Sequence, residues 1–127
     1  KKNGKQPMFE VSVSTSFPAE HAVMIAGIDE TPHSHVWNVV AVVTGEKLDS
    51  DGLLVDFLQL QSDLNEVVAP LRQTNLNTNE VLQHKNPSTE IVAKYIATEL
   101  KKRVKSPASL ASITLTEAPN CIATYRL

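Results

Sequence analysis

Residues 33–44 read HSHVWNVVAVVT, a run rich in β-branched side chains that predicts a strand from His35 to Thr44. Alternate residues of a strand point to opposite faces, and here both faces carry apolar side chains. They are Val36, Val40 and Val42 on one face and Trp37, Val39 and Val43 on the other. Because helices of a small domain cover only one face of its sheet, we expect another subunit to bury the second face. A two-layer monomer with an unusually apolar strand is the alternative.

Working outward from this strand, the remaining segments predict the order ββααββ. The predicted elements are strand 8–17, loop 18–32, strand 35–44, a helix from Asp56 to near residue 69, a helix that opens with Asn86 as its cap, and strands 110–117 and 121–126. The last two strands are close enough to form a hairpin. This order indicates an α+β fold in which two helices cover one face of an antiparallel sheet.

At 127 residues, with 42% apolar and 20% charged residues, the chain has the composition of a globular domain. We expect residues 1–7 to be a flexible N-terminal tail or a cloning remnant and residues 8–127 to be one domain. A formal net charge of −2 offers no basic face for nucleic acid, and no apolar run reaches the roughly 20 residues of a membrane span. The single cysteine, Cys121, excludes an internal disulfide and fits a reducing compartment, so we expect a cytoplasmic protein.

Three of the four histidines, His21, His33 and His35, are close together in the sequence. His33 and His35 are two residues apart and point to the same face of a strand, where a preceding antiparallel strand could add His21. Three imidazoles with a fourth position left open are typical of catalytic zinc. The alternative is that one histidine caps a loop and the other two are only the polar start of a strand.

Six blocks of the sequence carry a resemblance. They read FPAEH, ETPHSHVWNVVAVV, DGLLVDFLQLQSDLNEVV, PLRQTNLN, NPSTEIVAKYIATEL and ITLTEAPNCIATYRL. In this order they resemble the 6-pyruvoyl- and 6-carboxy-tetrahydropterin synthase family over nearly the whole chain. The resemblance implies the tunnelling fold, with two helices on a four-stranded antiparallel sheet. It also implies that three subunits close their sheets into a barrel and that two such trimers form a homohexamer.

The resemblance also implies roles for individual residues. His21, His33 and His35 are similar to the family's zinc triad, although HSH stands where members usually read H-G-H. Glu117, in TEAP, matches the glutamate that anchors the pterin, since a carboxylate can accept two parallel hydrogen bonds from the ring NH and the amino group. The alternative for Glu117 is an ordinary surface charge at a strand end.

Two parts of the family's catalytic relay are missing from this sequence. No cysteine precedes the histidine pair, and Cys121 is expected to be a small buried residue near Glu117. Arg72 and Gln73 stand where the family has an Asp-His pair. Because glutamine has no titratable proton and arginine stays protonated, neither replaces the relay.

One branch of the family, which makes 6-hydroxymethyl-dihydropterin, uses a glutamate in an E-x-x-H-G-H pattern instead of the cysteine. The stretch ETPHSH has that spacing, so Glu30 is the candidate base, and Asp29 is a second acidic candidate. A plain acidic loop is the alternative for both.

Three functions are consistent with these observations. The first is a zinc-dependent lyase that acts on dihydroneopterin triphosphate or a related dihydropterin and breaks a carbon–oxygen or carbon–carbon bond. The second is a catalytically degenerate paralogue that binds a pterin or purine without synthase activity. The third is a purely structural hexamer, against which the retained histidines and Glu117 argue.

Overall fold

The structure is a computed structural model that describes residues 8–83 and 85–127, so the tail expected at residues 1–7 lies outside the described residues. The elements are β1 (Phe9–His21), β2 (Met24–Ile25), β3 (Ile28–Asp29), β4 (His33–Gly45), α1 (Phe57–Val68), β5 (Thr74–Asn75), α2 (Thr89–Lys101), β6 (Ser109–Ala118) and β7 (Cys121–Arg126). Short 3-10 turns at Ala69–Leu71 and Glu80–Leu82 flank β5. The predicted order of the long elements, ββααββ, is confirmed.

The main sheet has five strands in the order β5-β1-β4-β6-β7, one more than the four that were expected. All neighbours are antiparallel except β5, which runs parallel to β1. Hydrogen bonds hold β5 in place, from the Gln73 N–H to the Pro18 carbonyl (2.6 Å) and from the Leu76 N–H to the Glu20 carbonyl (2.9 Å). A strand of two residues is too short to show the alternation that identifies strands in a sequence.

The two central strands are longer than predicted. β1 continues to His21 and β4 begins at His33, and these two residues are directly opposite one another. The predicted loop of residues 18–32 is therefore limited to the segment between the histidines. There β2 and β3 form a small hairpin whose turn includes Gly27 in the left-handed region (φ 80°), a conformation that glycine adopts without strain.

Each helix begins at a residue whose side chain caps it, and one of the two caps differs from the prediction. As predicted, Asp56 caps α1, and its side chain accepts a hydrogen bond from the Leu58 N–H at 2.8 Å. The expectation that Asn86 caps α2 is wrong, because Ser88 is the cap and accepts from the Ile91 N–H at 3.1 Å. No helix within the described ranges is long and apolar enough to span a membrane.

Both helices lie on one face of the sheet and enclose the core with the inward side chains of β1, β4 and β6. Phe17 and Trp37 are fully buried there, with nearly parallel rings whose centroids are 6.0 Å apart. The described residues leave the opposite face of the sheet uncovered, since Val36 and Ile122 are 60% and 61% exposed. The apolar second face predicted for β4 is therefore present and available to another subunit.

Candidate metal centre

Strand pairing brings the three predicted histidines together at one end of the sheet. His21 ends β1 opposite His33, and His35 follows His33 on the same face of β4. The ring centroids are 4.5 Å apart for His21 and His33, 4.6 Å for His33 and His35, and 6.3 Å for His21 and His35. His21 is buried, with 1% of its surface exposed, and the other two are half-buried. The three rings thus form one cluster.

Glu117, near the end of β6, adds a carboxylate to this cluster. Its Oε2 atom lies 3.4 Å from Nε2 of His21, 3.4 Å from Nε2 of His33 and 3.5 Å from Nε2 of His35. One ligand atom from each of the four residues lies within 4.8 Å of the other three. The four side chains together could hold a metal ion.

Backbone carbonyl groups orient two of the rings. Nδ1 of His21 is 2.7 Å from the carbonyl oxygen of Pro87, and Nδ1 of His33 is 3.2 Å from that of Thr31. A carbonyl oxygen can only accept, so Nδ1 carries the proton in both rings and Nε2 keeps its lone pair while the ring is neutral. Histidines that bind metals are held in the same way.

Neutral rings in this arrangement direct acceptor atoms at a negative carboxylate. Nε2 of His21 is buried and has no hydrogen-bond partner among the described residues. A buried lone pair that faces a negatively charged oxygen is destabilising unless a proton or a cation lies between the two atoms. A second proton would make His21 a buried imidazolium, whereas a metal ion would satisfy all four atoms together. The residues therefore fit a metal ion.

The carboxyl group of Glu117 is held through both of its oxygens. Oε2 faces the histidines, and Oε1 accepts a hydrogen bond from the Thr89 hydroxyl at 2.6 Å. Burial by itself would raise the pKa of Glu117, but the hydrogen bond from the Thr89 hydroxyl, together with the charge and hydrogen bonds of His21 and His33 when these rings carry a second proton, lowers that pKa. Glu117 is therefore ionised near neutral pH and can serve as an anionic ligand.

The two acidic candidates between the histidines differ in their surroundings. Glu30 is half-buried, and its Oε1 atom accepts from the Val23 N–H at 2.9 Å and lies 3.7 Å from Nδ1 of His33. Asp29 is exposed in β3, where its backbone is paired with Met24. Only Glu30 is thus in contact with the histidine cluster.

Arg72 and Gln73 occupy the positions where the resemblance implies a relay pair. Arg72 and Gln73 are both exposed and follow the 3-10 turn before β5, and Gln73 has a positive φ of 57°. Cys121 begins β7 opposite Ala118 and is exposed, so the expectation of a buried cysteine is wrong. Cys121 directly follows the turn between β6 and β7, where the described residues leave its side chain exposed.

Three contributors to the site were missed in the sequence. Besides Thr89, two asparagine side chains clamp the backbone between the histidines. Asn77 accepts from the Ala22 N–H at 2.8 Å and donates to its carbonyl at 2.7 Å, and Asn86 does the same with Met24 at 2.8 and 3.0 Å. In the sequence, Asn86 before Pro87 predicts only a helix cap. No sequence feature indicates a role for Asn77 or Thr89.

Comparison with known proteins gives one family. The family model described as 6-pyruvoyl tetrahydropterin synthase matches residues 10–127. The dihydroneopterin monophosphate aldolase of Pyrococcus furiosus is 34% identical to this chain over 102 residues, which make up 80% of this chain and 83% of that protein.

Solved structures share the fold over nearly the full length. The 6-pyruvoyl tetrahydropterin synthase of Caenorhabditis elegans aligns with a TM-score of 0.83 at 22% identity, over 98% of this chain and 99% of that one. The 6-pyruvoyl tetrahydropterin synthase of Plasmodium falciparum aligns with a TM-score of 0.79 at 25% identity, over 94% and 98% of the two chains. The tunnelling fold expected from the sequence is therefore confirmed.

Proposed function

Because this chain belongs to the 6-pyruvoyl tetrahydropterin synthase family, we propose that it is a zinc-dependent lyase that cleaves the side chain of a phosphorylated dihydroneopterin. The observation that carries the proposal is the convergence of three imidazole nitrogens and the Glu117 carboxylate at one point. A set of nitrogen and oxygen ligands of this kind suits zinc. When bound, the metal ion would supply a Lewis acid that polarises a hydroxyl of the substrate side chain.

The aldolase relative supports cleavage of a carbon–carbon bond over a carbon–oxygen bond. Its name gives dihydroneopterin monophosphate as its substrate, and the two proteins align over most of both chains. Arg72 and Gln73 argue against a standard synthase, because they cannot supply its proton relay. We therefore propose dihydroneopterin monophosphate as the substrate, in preference to the triphosphate.

The proposed reaction is a retro-aldol cleavage between C1′ and C2′ of the trihydroxypropyl side chain. A base takes the proton of the C2′ hydroxyl, the C1′–C2′ bond breaks, and C2′ leaves as an aldehyde joined to the phosphate-bearing carbon. The electron pair of the broken bond moves through C6 onto N5 of the ring, and C1′ then takes up a proton. The products are 6-hydroxymethyl-dihydropterin and glycolaldehyde phosphate, so no further reactant is needed.

Glu30 is the proposed base. Its Oε1 atom is fixed by the Val23 N–H, while its Oε2 atom makes no hydrogen bond within the described part of the chain and is available to a substrate hydroxyl. The contact between Glu30 and His33 places that carboxylate beside the cluster that would hold the metal. Asp29 is the second candidate, and Glu117 is proposed to bind the ring NH and amino group of the pterin.

The free edges of the sheet support a ring of subunits. β1, where β5 does not cover it, and β7 form the two edges and run antiparallel to each other. If all subunits have the same direction along a ring axis, β7 of one pairs antiparallel with β1 of the next and the sheets close into a barrel. The exposed Val36 and Ile122 would then be covered inside it. We propose that two such trimeric rings form the hexamer.

This ring would also bring a cation to the site of the neighbouring subunit. Gln73 is bonded to Pro18, close to the His21 end of β1, so Arg72 lies at that end of the sheet edge. In the ring, the same end of β1 adjoins the turn after Glu117 in the next subunit. Arg72 is exposed and has no ion pair within the described ranges, and a guanidinium can bind a phosphate through two parallel hydrogen bonds.

The second candidate function is pterin binding without turnover, which the missing relay favours. Incubation of the purified protein with dihydroneopterin monophosphate, and separately with the triphosphate, followed by mass spectrometry of the products, distinguishes the two. Release of 6-hydroxymethyl-dihydropterin from the monophosphate would support the lyase. Pterin binding without any product would support the second candidate instead.

A further inference from the structure

Glu117 lies in the middle of the histidine cluster, and its position there resembles that of a ligand more than that of a substrate anchor. Its Oε2 atom is almost equally distant from the three Nε2 atoms, at 3.4, 3.4 and 3.5 Å. Two ligand atoms that are each about 2.0–2.1 Å from a zinc ion at the tetrahedral angle are roughly 3.3–3.4 Å apart. The three observed separations between oxygen and nitrogen match this value, as expected if Oε2 of Glu117 is one of the ligands.

A carboxylate in this position cannot at the same time bind the far edge of a pterin. The amino group of the pterin and the side chain that reacts are at opposite ends of the bicyclic ring. If the side chain is at the metal, the amino edge is a ring's length away from it. The Oε2 atom lies beside all three histidines and is therefore not at the position of the pterin amino edge.

We propose that Glu117 is the fourth metal ligand of the substrate-free protein and that binding of the pterin displaces it. The ligand part rests on the four converging atoms alone, whereas the displacement part rests on the proposed function. A metal with four protein ligands has no open position for a substrate oxygen, so the free site is closed. Release of Glu117 opens one position on the metal for an oxygen of the substrate side chain.

Thr89 is the positioning residue for the closed state. Its hydroxyl donates to Oε1 of Glu117 at 2.6 Å, so the other oxygen is turned toward the histidines. Thr89 is the first residue of α2, and the cap of that helix, Ser88, fixes the backbone on which the hydroxyl is carried. Loss of this hydroxyl should weaken metal binding without removing any ligand.

The experiment loads the protein with Co²⁺ in place of zinc and measures its visible spectrum and its affinity, because cobalt absorption depends on the number and geometry of ligands. In the absence of pterin, the wild type should give the intense bands of a four-coordinate ion. Glu117→Gln should change the spectrum. It should also lower the Co²⁺ affinity by more than the roughly 10–100-fold that is lost when a residue that only hydrogen-bonds a metal ligand is mutated. The matched control is Glu90→Gln, which changes an exposed glutamate in the first turn of α2. An unchanged spectrum and affinity in Glu117→Gln would overturn the proposal.

Two further measurements keep the result independent of a folding defect in that variant. Thr89→Val should lower the Co²⁺ affinity by about 10-fold. Its control, Thr98→Val, removes a hydroxyl that bonds, among the described residues, to the Lys94 carbonyl of its own helix, and it should change nothing. Equal affinities in these two variants would contradict the positioning role.

Titration of the cobalt protein with 6-hydroxymethylpterin tests the displacement. The spectrum should shift toward that of Glu117→Gln as the pterin binds. Binding of the pterin with no spectral shift would overturn the displacement. Absence of pterin binding, with a four-coordinate spectrum that depends on Glu117, would refute the proposed function and the displacement while confirming the ligand.

Discussion

Nδ1 of His21 lies 2.7 Å from the carbonyl oxygen of Pro87, so the ring at the end of β1 is oriented by the residue that precedes the cap of α2. Ser88→Ala removes the cap and should lower the free energy of unfolding by about 1 kcal/mol. It should also weaken zinc binding several-fold, because the carbonyl that holds His21 loses its support. Denaturant unfolding and zinc titration measure the two effects.

Asp56→Ala is the matched control, since it removes the cap of α1, which lies outside the cluster. It should destabilise the protein by a similar amount and leave zinc affinity unchanged. Equal zinc affinity in the two cap variants would show that the start of α2 does not orient His21.

The metal content tests the histidine cluster directly. We expect about one zinc per chain after extensive desalting, because one cluster offers a complete ligand set. His33→Ala removes one imidazole and should lower this stoichiometry strongly. Elemental analysis of both proteins is the measurement, and an unchanged zinc content in the variant would show that the metal is bound elsewhere.

The base is tested by a change that keeps the shape of the side chain. Glu30→Gln retains an oxygen acceptor for the Val23 N–H but has no carboxylate to take a proton. Turnover should fall by roughly 10²–10⁴, with metal content and pterin affinity nearly unchanged. Asp29→Asn, one residue away and exposed, should retain activity. If Asp29→Asn lost activity and Glu30→Gln kept it, Asp29 would be the base.

Arg72 is tested with two substrates that differ only in the phosphate. Arg72→Ala should raise the KM for dihydroneopterin monophosphate by about 10–100-fold, the equivalent of a charged hydrogen bond of about 1.5–3 kcal/mol. The KM for unphosphorylated dihydroneopterin should not change. Lys47→Ala is the control, because Lys47 follows the end of β4 that is opposite to His33. The same effect on both substrates would argue against a phosphate contact.

The assembly is tested by mass and by one substitution on the uncovered face of the sheet. Light scattering at micromolar concentration should give about six times the chain mass of 13.9 kDa. Ile122→Arg would place a charge inside the proposed barrel and should reduce the mass. Thr98→Arg, on the exposed side of α2, should leave it unchanged. A monomeric wild type would leave the apolar second face of β4 without an explanation.

Regular patterns explain which parts of the fold the sequence predicted. The β-branched run of β4 and the apolar stripes of both helices are repeated signals, so the long elements were found. The ends of β1 and β4 were not predicted, because His21 and His33 are polar residues whose place in the sheet depends on their pairing with each other. The strand β5 depends on two contacts with β1 and carries no pattern of its own.

The sequence indicated those residues of the candidate site whose type or spacing is uncommon. Closely spaced histidines are rare enough to suggest a metal, and the resemblance added Glu117. The contact between Glu117 and Thr89 joins residues that are 28 positions apart, and no local rule relates them. Likewise, nothing in the sequence shows that the Pro87 carbonyl before α2 accepts a hydrogen bond from His21.

The side-chain amides of Asn77 and Asn86 have a consequence for how this protein can diverge. Each amide bonds to both the N–H and the carbonyl of one backbone residue, Ala22 or Met24, as a neighbouring strand would. These hydrogen bonds are made to main-chain atoms, so they do not depend on the side chains of residues 22 and 24. The clamps therefore place no demand on the side chains at positions 22 and 24, whereas each of them needs a side-chain amide at position 77 or 86.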